Sequence, residues 1–195
     1  NMVDTGDVYA EGMSEKIIGQ TIKERGIRDS ILIATKVDHG RRRRGMSLDE
    51  FVPAAVPNMH GHSRLNIIHA CEASLKRLQT DYTDRNQLHG PERATNYFGQ
   101  LGYEYSEPND FTPIEETLSV LKEQVDAGKI RTIGLSNETA WGTMKFLQVA
   151  ERLGLPRLVG VQNPYNLLNR SFEVGLAEVS HREQVGLLAY SPLGF

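Results

Sequence analysis

A regular alternation of short β-rich runs with helical patterns constrains the fold more than any other feature of this sequence. ILIATK (31–36) is apolar until its last residues, while LVGVQN (158–163) and VGLLAYS (185–191) are apolar on both sides of an extended chain. Strands of that kind belong in a parallel sheet covered by helices. Helical patterns over 63–78, 113–129, 139–153 and 171–182 separate the runs, the second with Pro113 near its start and Gly128 near its stop. In the 63–78 pattern, Leu65, Ile68, Ala73, Leu75 and Leu78 recur at mixed helical spacings. Further strands are expected over 81–89 and 130–137. A stub at 1–3 brings the count to six.

No GxGxxG turn follows any of these strands, which argues against a Rossmann domain. The expected fold is α/β, a (β/α)8 TIM barrel. A closed barrel takes eight strands and about 250 residues, so the chain reads as an incomplete segment of about six strands lacking the first and last parts. Residues 1–195 are accordingly expected to form a single, partial barrel domain.

Charge and cysteine usage narrow the functional classes. A net charge of −3 gives no basic footprint for nucleic acid. Cys71 is the only cysteine, so no intrachain disulfide forms, and a reducing, cytoplasmic location is expected. No apolar run approaches the ~20 residues of a membrane span, and no membrane partner is expected. Arg41–Arg44 stand in a long insertion at 38–63, where four arginines in an otherwise acidic chain read as a solvated loop. His60 and His62 lack an acidic or cysteine partner at ligand spacing, so no metal site is expected. The irregular stretch 92–112, rich in Tyr, Asn and Gly, follows a strand end and suits either a pocket wall or surface packing.

The strand ends carry the chemistry. DTGDVYAEGMSE (4–15) places Asp4 and Tyr9 in a loop after the stub strand, and Ser14 with Glu15 reads as the start of a helix carrying Ile17, Ile18 and Ile22 on one face. Lys36 closes the 31–36 run and His89 closes the 81–89 run. In a barrel these ends converge on one mouth. A tyrosine donates a proton usefully near neutrality when an ammonium stabilises its phenolate, and a carboxylate can hold that ammonium in place. A histidine can orient a carbonyl. Asp, Tyr, Lys and His are therefore a coherent set for protonating an oxygen.

At these residues the chain resembles the aldo-keto reductase family. The matching motifs are DTGDVY with GMSE (4–15), IATK (33–36), SLKRLQTDY through QLHGP (74–91), GKIRTIGLSN (128–137), VQNPYNLLNR (161–170) and LLAYSPLG (187–194). NETAWG and PYNLLNRSFEVGLAEVS make it most similar to the bacterial Tas-like branch. The resemblance implies an NADPH-dependent oxidoreductase that reduces an aldehyde or ketone, a small-molecule carbonyl substrate, by hydride transfer. It assigns Tyr9 as proton donor, Asp4 and Lys36 as residues that tune it, and His89 as the group aligning the carbonyl. It also implies that Ser136, Asn137 and Gln162 hold the nicotinamide carboxamide and that Tyr190 stacks on the ring. Ser191, Pro192 and Leu193 would begin the pyrophosphate-binding loop.

One strand departs from the family pattern. Thr83, Arg85 and Asn86 stand where the family has apolar residues, and Gly90 replaces an aromatic that often follows the histidine. A buried, unpaired arginine would cost several kcal/mol, so Arg85 is expected either to reach solvent or Asp84, or to mark a sequence that has drifted from function. The alternative readings are a catalytically inactive fragment and a cofactor-sensing binding subunit of the same fold, like the potassium-channel β-subunits. A Schiff-base aldolase using Lys36 is more remote.

Overall fold

A computed structural model of the chain describes residues 1–38, 61–98, 101–105 and 111–194. Arg41–Arg44 and His60 lie outside the described residues, as do parts of the 92–112 stretch. The six strands are β1 (Met2–Asp4), β2 (Leu32–Val37), β3 (Thr83–Leu88), β4 (Ile130–Ser136), β5 (Leu158–Pro164) and β6 (Gly186–Tyr190). They pair in chain order and every pairing is parallel. Each crossover is helical: α1 (Met13–Arg25), α2 (Arg64–Leu78), α3 (Ile114–Asp126), α4 (Ala140–Leu153) and α5 (Leu176–Arg182). Repeated βα units in sequential order form an arc of a TIM barrel.

Alternation along the strands separates two faces. Val37, Leu88, Ile133, Leu135 and Val161 pack outward against Ile67, Cys71, Leu118, Leu121, Phe146 and Leu147 of the helices, in one core. Each such side chain contributes about 1.5–3 kcal/mol by leaving water. The intervening residues Lys36, Gln87, Ser136 and Gln162 face the barrel interior. Parallel register stacks Lys36 beside Gln87 and Gly134, and Ser136 beside Gln162 and Leu188. The register thus collects the interior polar groups at the C-terminal ends of the strands.

Two helices differ from the sequence reading. Ser14 and Glu15 do stand in the first turn of α1, but the N-cap is the left-handed Gly12 at φ 80°, and neither side chain serves as a cap. Ser14 Oγ instead shares a 2.8 Å hydrogen bond with Thr5 Oγ1. Glu15 is fully buried, accepting from Thr35 Oγ1 and Arg77 Nε, both at 2.6 Å. Both side chains face the sheet because α1 lies close over α2. A Cβ added to Gly19 would come within 2.5 Å of the Leu78 backbone. This orientation buries Ile22 and turns Ile17 out to solvent. In α2 the buried side chains are Ile67, Ala70, Cys71, Ser74 and Leu78, a regular three-and-four spacing, while Leu65 is exposed.

The polar residues of β3 divide between the two faces. Asp84 is held by Arg28 at 2.9 Å and Arg131 at 2.8 Å, and it accepts the Ile33 N–H. It is therefore already committed and does not pair with Arg85. Arg85 turns into the barrel interior, over Gly134 and Gly160 on the neighbouring strands. Asn86 falls on the helix-facing side with Leu88, and both its amide atoms are buried with no hydrogen-bond partner among the described residues.

Candidate active site

The centre of the site is a buried ammonium. Lys36 is fully enclosed, and its Nζ donates to Asp4 Oδ2 at 2.5 Å and to the Thr5 carbonyl at 2.7 Å. Gln87 Nε2 donates to the other Asp4 oxygen at 3.3 Å. The sheet places these three groups side by side because β1, β2 and β3 are neighbours in register. An ammonium removed from water needs such partners, since burial of an unpaired charge costs several kcal/mol.

Tyr9 covers this cluster from the turn after β1, with Lys36 Nζ 4.7 Å from the centre of its ring. Its hydroxyl lies 3.4 Å from His89 Nε2, a long hydrogen bond, and the two rings meet edge-on with centroids 5.4 Å apart. The turn is tight. Ala10 and Glu11 take left-handed conformations, and a Cβ on Gly6 would touch the Tyr9 ring at 3.4 Å. On the other side of His89, Asp38 Oδ2 approaches Nδ1 to 3.7 Å, which turns Nε2 toward the phenol. Asp38 N–H in turn donates to Asp7 at 3.1 Å, and burial pushes the Asp7 carboxyl up to about 7.

Asn137 ties His89 to the opposite strands. Its Nδ2 donates to the His89 carbonyl at 2.8 Å, and its Oδ1 accepts from Tyr190 OH at 2.7 Å. Its own backbone is left-handed, with φ 54°, a conformation asparagine tolerates better than most residues. Its N–H donates to the Gln162 carbonyl at 2.9 Å, which also accepts from Ser136 Oγ at 3.1 Å. The Gln162 side chain makes no hydrogen bond within the described residues. Burial pushes the Tyr190 phenol up to about 12. Ser191 is left-handed at φ 54°, and Pro192 follows it toward a fully exposed Leu193.

The structure therefore brings Asp4, Tyr9, Lys36 and His89 into one contact network, joined through Asn137 to Ser136, Gln162 and Tyr190. Ser191 to Leu193 lie at the edge of that network rather than within it. His62 Nδ1 lies 4.0 Å from Glu92 Oε2, and among the described residues no three His, Cys, Asp or Glu side chains are grouped so as to hold a metal ion. Sequence reasoning missed the supporting residues Thr5, Gln87, Asp38 and the Arg93–Glu138 clamp. Arg93 donates to Glu138 at 2.5 and 3.0 Å and to Thr139 at 3.0 Å, pinning the stretch after His89 to the start of α4. Beside that clamp a cleft of about 270 Å³ runs from Asn137 between Tyr97, Phe98, Leu101 and Phe172. Part of the 92–112 stretch thus walls a cavity. No helix among the described residues is long and apolar enough to cross a membrane.

The chain is 45% identical over 204 residues to protein tas of Escherichia coli, covering all of this chain and 56% of that protein. It is 34% identical over 192 residues to the aldo-keto reductase YhdN of Bacillus subtilis, covering 98% of this chain and 47% of that one. Among solved structures, a thermostable aldo-keto reductase in complex with the inhibitor epalrestat superposes with a TM-score of 0.73 at 29% identity, over 97% of this chain and 54% of that one. An aldo/keto reductase of Klebsiella pneumoniae in complex with NADP and acetate gives 0.68 at 26% identity, over 99% and 53%. The chain spans about half the length of the relatives it matches. Residues 1–195 match the family model described as Aldo/keto reductase family, and the chain belongs to that family.

Proposed function

We propose that this chain carries the proton-transfer half of an NADPH-dependent carbonyl reductase, within a single barrel domain. The observation that carries the reading is the Tyr9 hydroxyl beside His89 Nε2, above an ammonium held by Asp4. Bound NADPH would supply hydride to the carbonyl carbon of an aldehyde or ketone. Tyr9 would release its proton to the carbonyl oxygen, since the cation below its ring favours the negative charge left on the phenol. His89 would align that oxygen through Nε2, its ring fixed by Asp38 on one side and by Asn137 through its backbone. The residues present suit the nicotinamide. The Gln162 amide makes no hydrogen bond among the described residues and stands next to the Ser136–Asn137 pair, where it could meet a carboxamide. The cleft walled by Tyr97, Phe98 and Phe172, with Asn137, Glu138 and Asn163 also in its lining, would take the body of a small carbonyl compound.

The test is fluorescence titration with NADPH together with reduction of a generic aldehyde, for this chain and for a version completed at both ends. Tyr9→Phe is expected to leave NADPH affinity unchanged and to lower carbonyl reduction by about 10² or more. Unchanged turnover in Tyr9→Phe would refute the assignment. NADPH binding without turnover in the completed version would favour the cofactor-sensing alternative.

A further inference from the structure

The stretch PYNLLNR (164–170) carries part of the branch resemblance, yet the function proposed above gives it no task. It forms the turn that leaves β5, and two asparagines shape it. Asn166 Oδ1 accepts the N–H groups of Leu168 and Asn169, both at 2.8 Å, and the Asn166 N–H donates to the Asn169 carbonyl at 3.1 Å. Asn169 Oδ1 accepts from Ser171 Oγ at 2.7 Å and from the Ser171 N–H at 3.1 Å. These bonds close the turn from within. The Asn166 amide nitrogen does something else: it crosses to the next strand end and donates to the Ser191 carbonyl at 2.7 Å.

That carbonyl is also the acceptor that closes the turn after β6. The Gly194 N–H donates to it at 3.1 Å, and Ser191 and Gly194 are both left-handed, at φ 54° and φ 89°. A serine keeps that backbone only where its surroundings over-determine it. Apolar burial does not do so here, because Leu167, Leu168 and Leu193 on the two turns are all exposed. β5 and β6 pair as far as Pro164 beside Tyr190, and the Tyr165 N–H reaches the Tyr190 carbonyl at 3.4 Å. One residue further out, the Asn166 side chain takes over as the tie between the two strand ends.

The family resemblance begins the pyrophosphate-binding loop at Ser191 to Leu193. A dinucleotide whose nicotinamide meets Gln162 and Tyr190 would leave the mouth across the end of β6, since Gln162 stands opposite Leu188 and Tyr190 directly precedes the turn. A turn already held in shape loses less binding energy to ordering when the ligand arrives. We propose that Asn166 is a positioning residue for the cofactor, whose side-chain amide holds the Ser191–Gly194 turn in place for the pyrophosphate of NADPH. This rests on the function proposed above.

The experiment compares Asn166→Ser and Asn166→Asp with the parent in the natural gene product, with folding checked by near-UV circular dichroism. Serine keeps an acceptor for the local turn but is too short to reach Ser191. Asn166→Ser is expected to raise the Kd for NADPH by about three- to tenfold in fluorescence titration, through loss of one hydrogen bond and of the order it gives the turn. The KM for the carbonyl at saturating NADPH should not change. Aspartate keeps both acceptor bonds and removes only the donor. In hydrogen–deuterium exchange of the cofactor-free protein, Asn166→Asp should therefore speed exchange across 191–194 and leave 166–169 at the parent rate. A folded Asn166→Ser protein that binds NADPH as the parent does overturns the proposal, and so does unchanged exchange across 191–194 in Asn166→Asp. Should Asn166→Ser not fold, the exchange measurement alone decides. A parent protein that folds and binds no NADPH overturns the reductase reading itself.

Discussion

Replacing Asp4 with asparagine separates the charge of the buried pair from its shape. Lys36 is completely enclosed, whereas Asp4 is 29% exposed, so the substitution strands a cation that cannot reach water. Removing one partner of a buried pair costs about 3–5 kcal/mol. Here the Thr5 carbonyl remains as an acceptor at 2.7 Å and the asparagine oxygen can replace one more contact. Partial exposure of Asp4 lowers the figure further, and about 2–3 kcal/mol is expected for Asp4→Asn. The double variant Asp4→Asn/Lys36→Met leaves no stranded ammonium. Its loss of stability should fall short of the sum of the single losses by about 1–3 kcal/mol. Urea denaturation of the four proteins, fitted with a common slope, measures that coupling. Losses that add to within about 0.5 kcal/mol would show that Lys36 does not depend on Asp4 and would refute the reasoning.

Other consequences can be tested on the same protein. The folded protein holds the Asp7 proton more tightly than the unfolded chain does, with its carboxyl pushed from 3.8 up to about 7. The associated stability is fully present below the unfolded value and is lost as pH rises through about 7. Asp7→Asn should therefore be more stable than the parent at pH 8 by up to a few kcal/mol, with the gap closing toward pH 4. Thermal melts across that range would show a gap that does not change with pH if the carboxyl ionised freely. Gly19→Ala should destabilise by about 2 kcal/mol or more, because the added methyl meets the Leu78 backbone, which cannot swing aside. Helix propensity alone predicts a gain of about 1 kcal/mol, so the sign of the change in urea midpoint decides between the two.

What the sequence revealed of this site follows from where each interaction partner lies. The alternation of apolar runs announced the parallel sheet. Lys36 was legible because a polar side chain ending an apolar strand points to the barrel mouth whatever the helices do, and His89 because it closes the next strand in the sheet. Glu15 was not legible. An acidic residue in the first turn of a helix reads as a favourable charge near the dipole, and only the approach of α1 to α2 shows that it is buried between Thr35 and Arg77. Arg85, expected to reach solvent or Asp84, is partly exposed and does not pair with Asp84, and its surroundings were not legible for a related reason. Within its own strand it is a charge on a buried face, and its place in the interior depends on glycines supplied by two later strands. Asp84 drew the obvious pairing, yet alternation puts the two side chains on opposite faces of β3, where Arg28 and Arg131 already hold Asp84. Asn86 behaves differently. It sits on the helix-facing side with no partner for its amide and with nothing small opposite it to explain the choice, so it is a plain cost to β3. The departures of this strand from the family pattern are thus not one event. Arg85 occupies a space left by Gly134 and Gly160 on the neighbouring strands, and Asn86 has no such space.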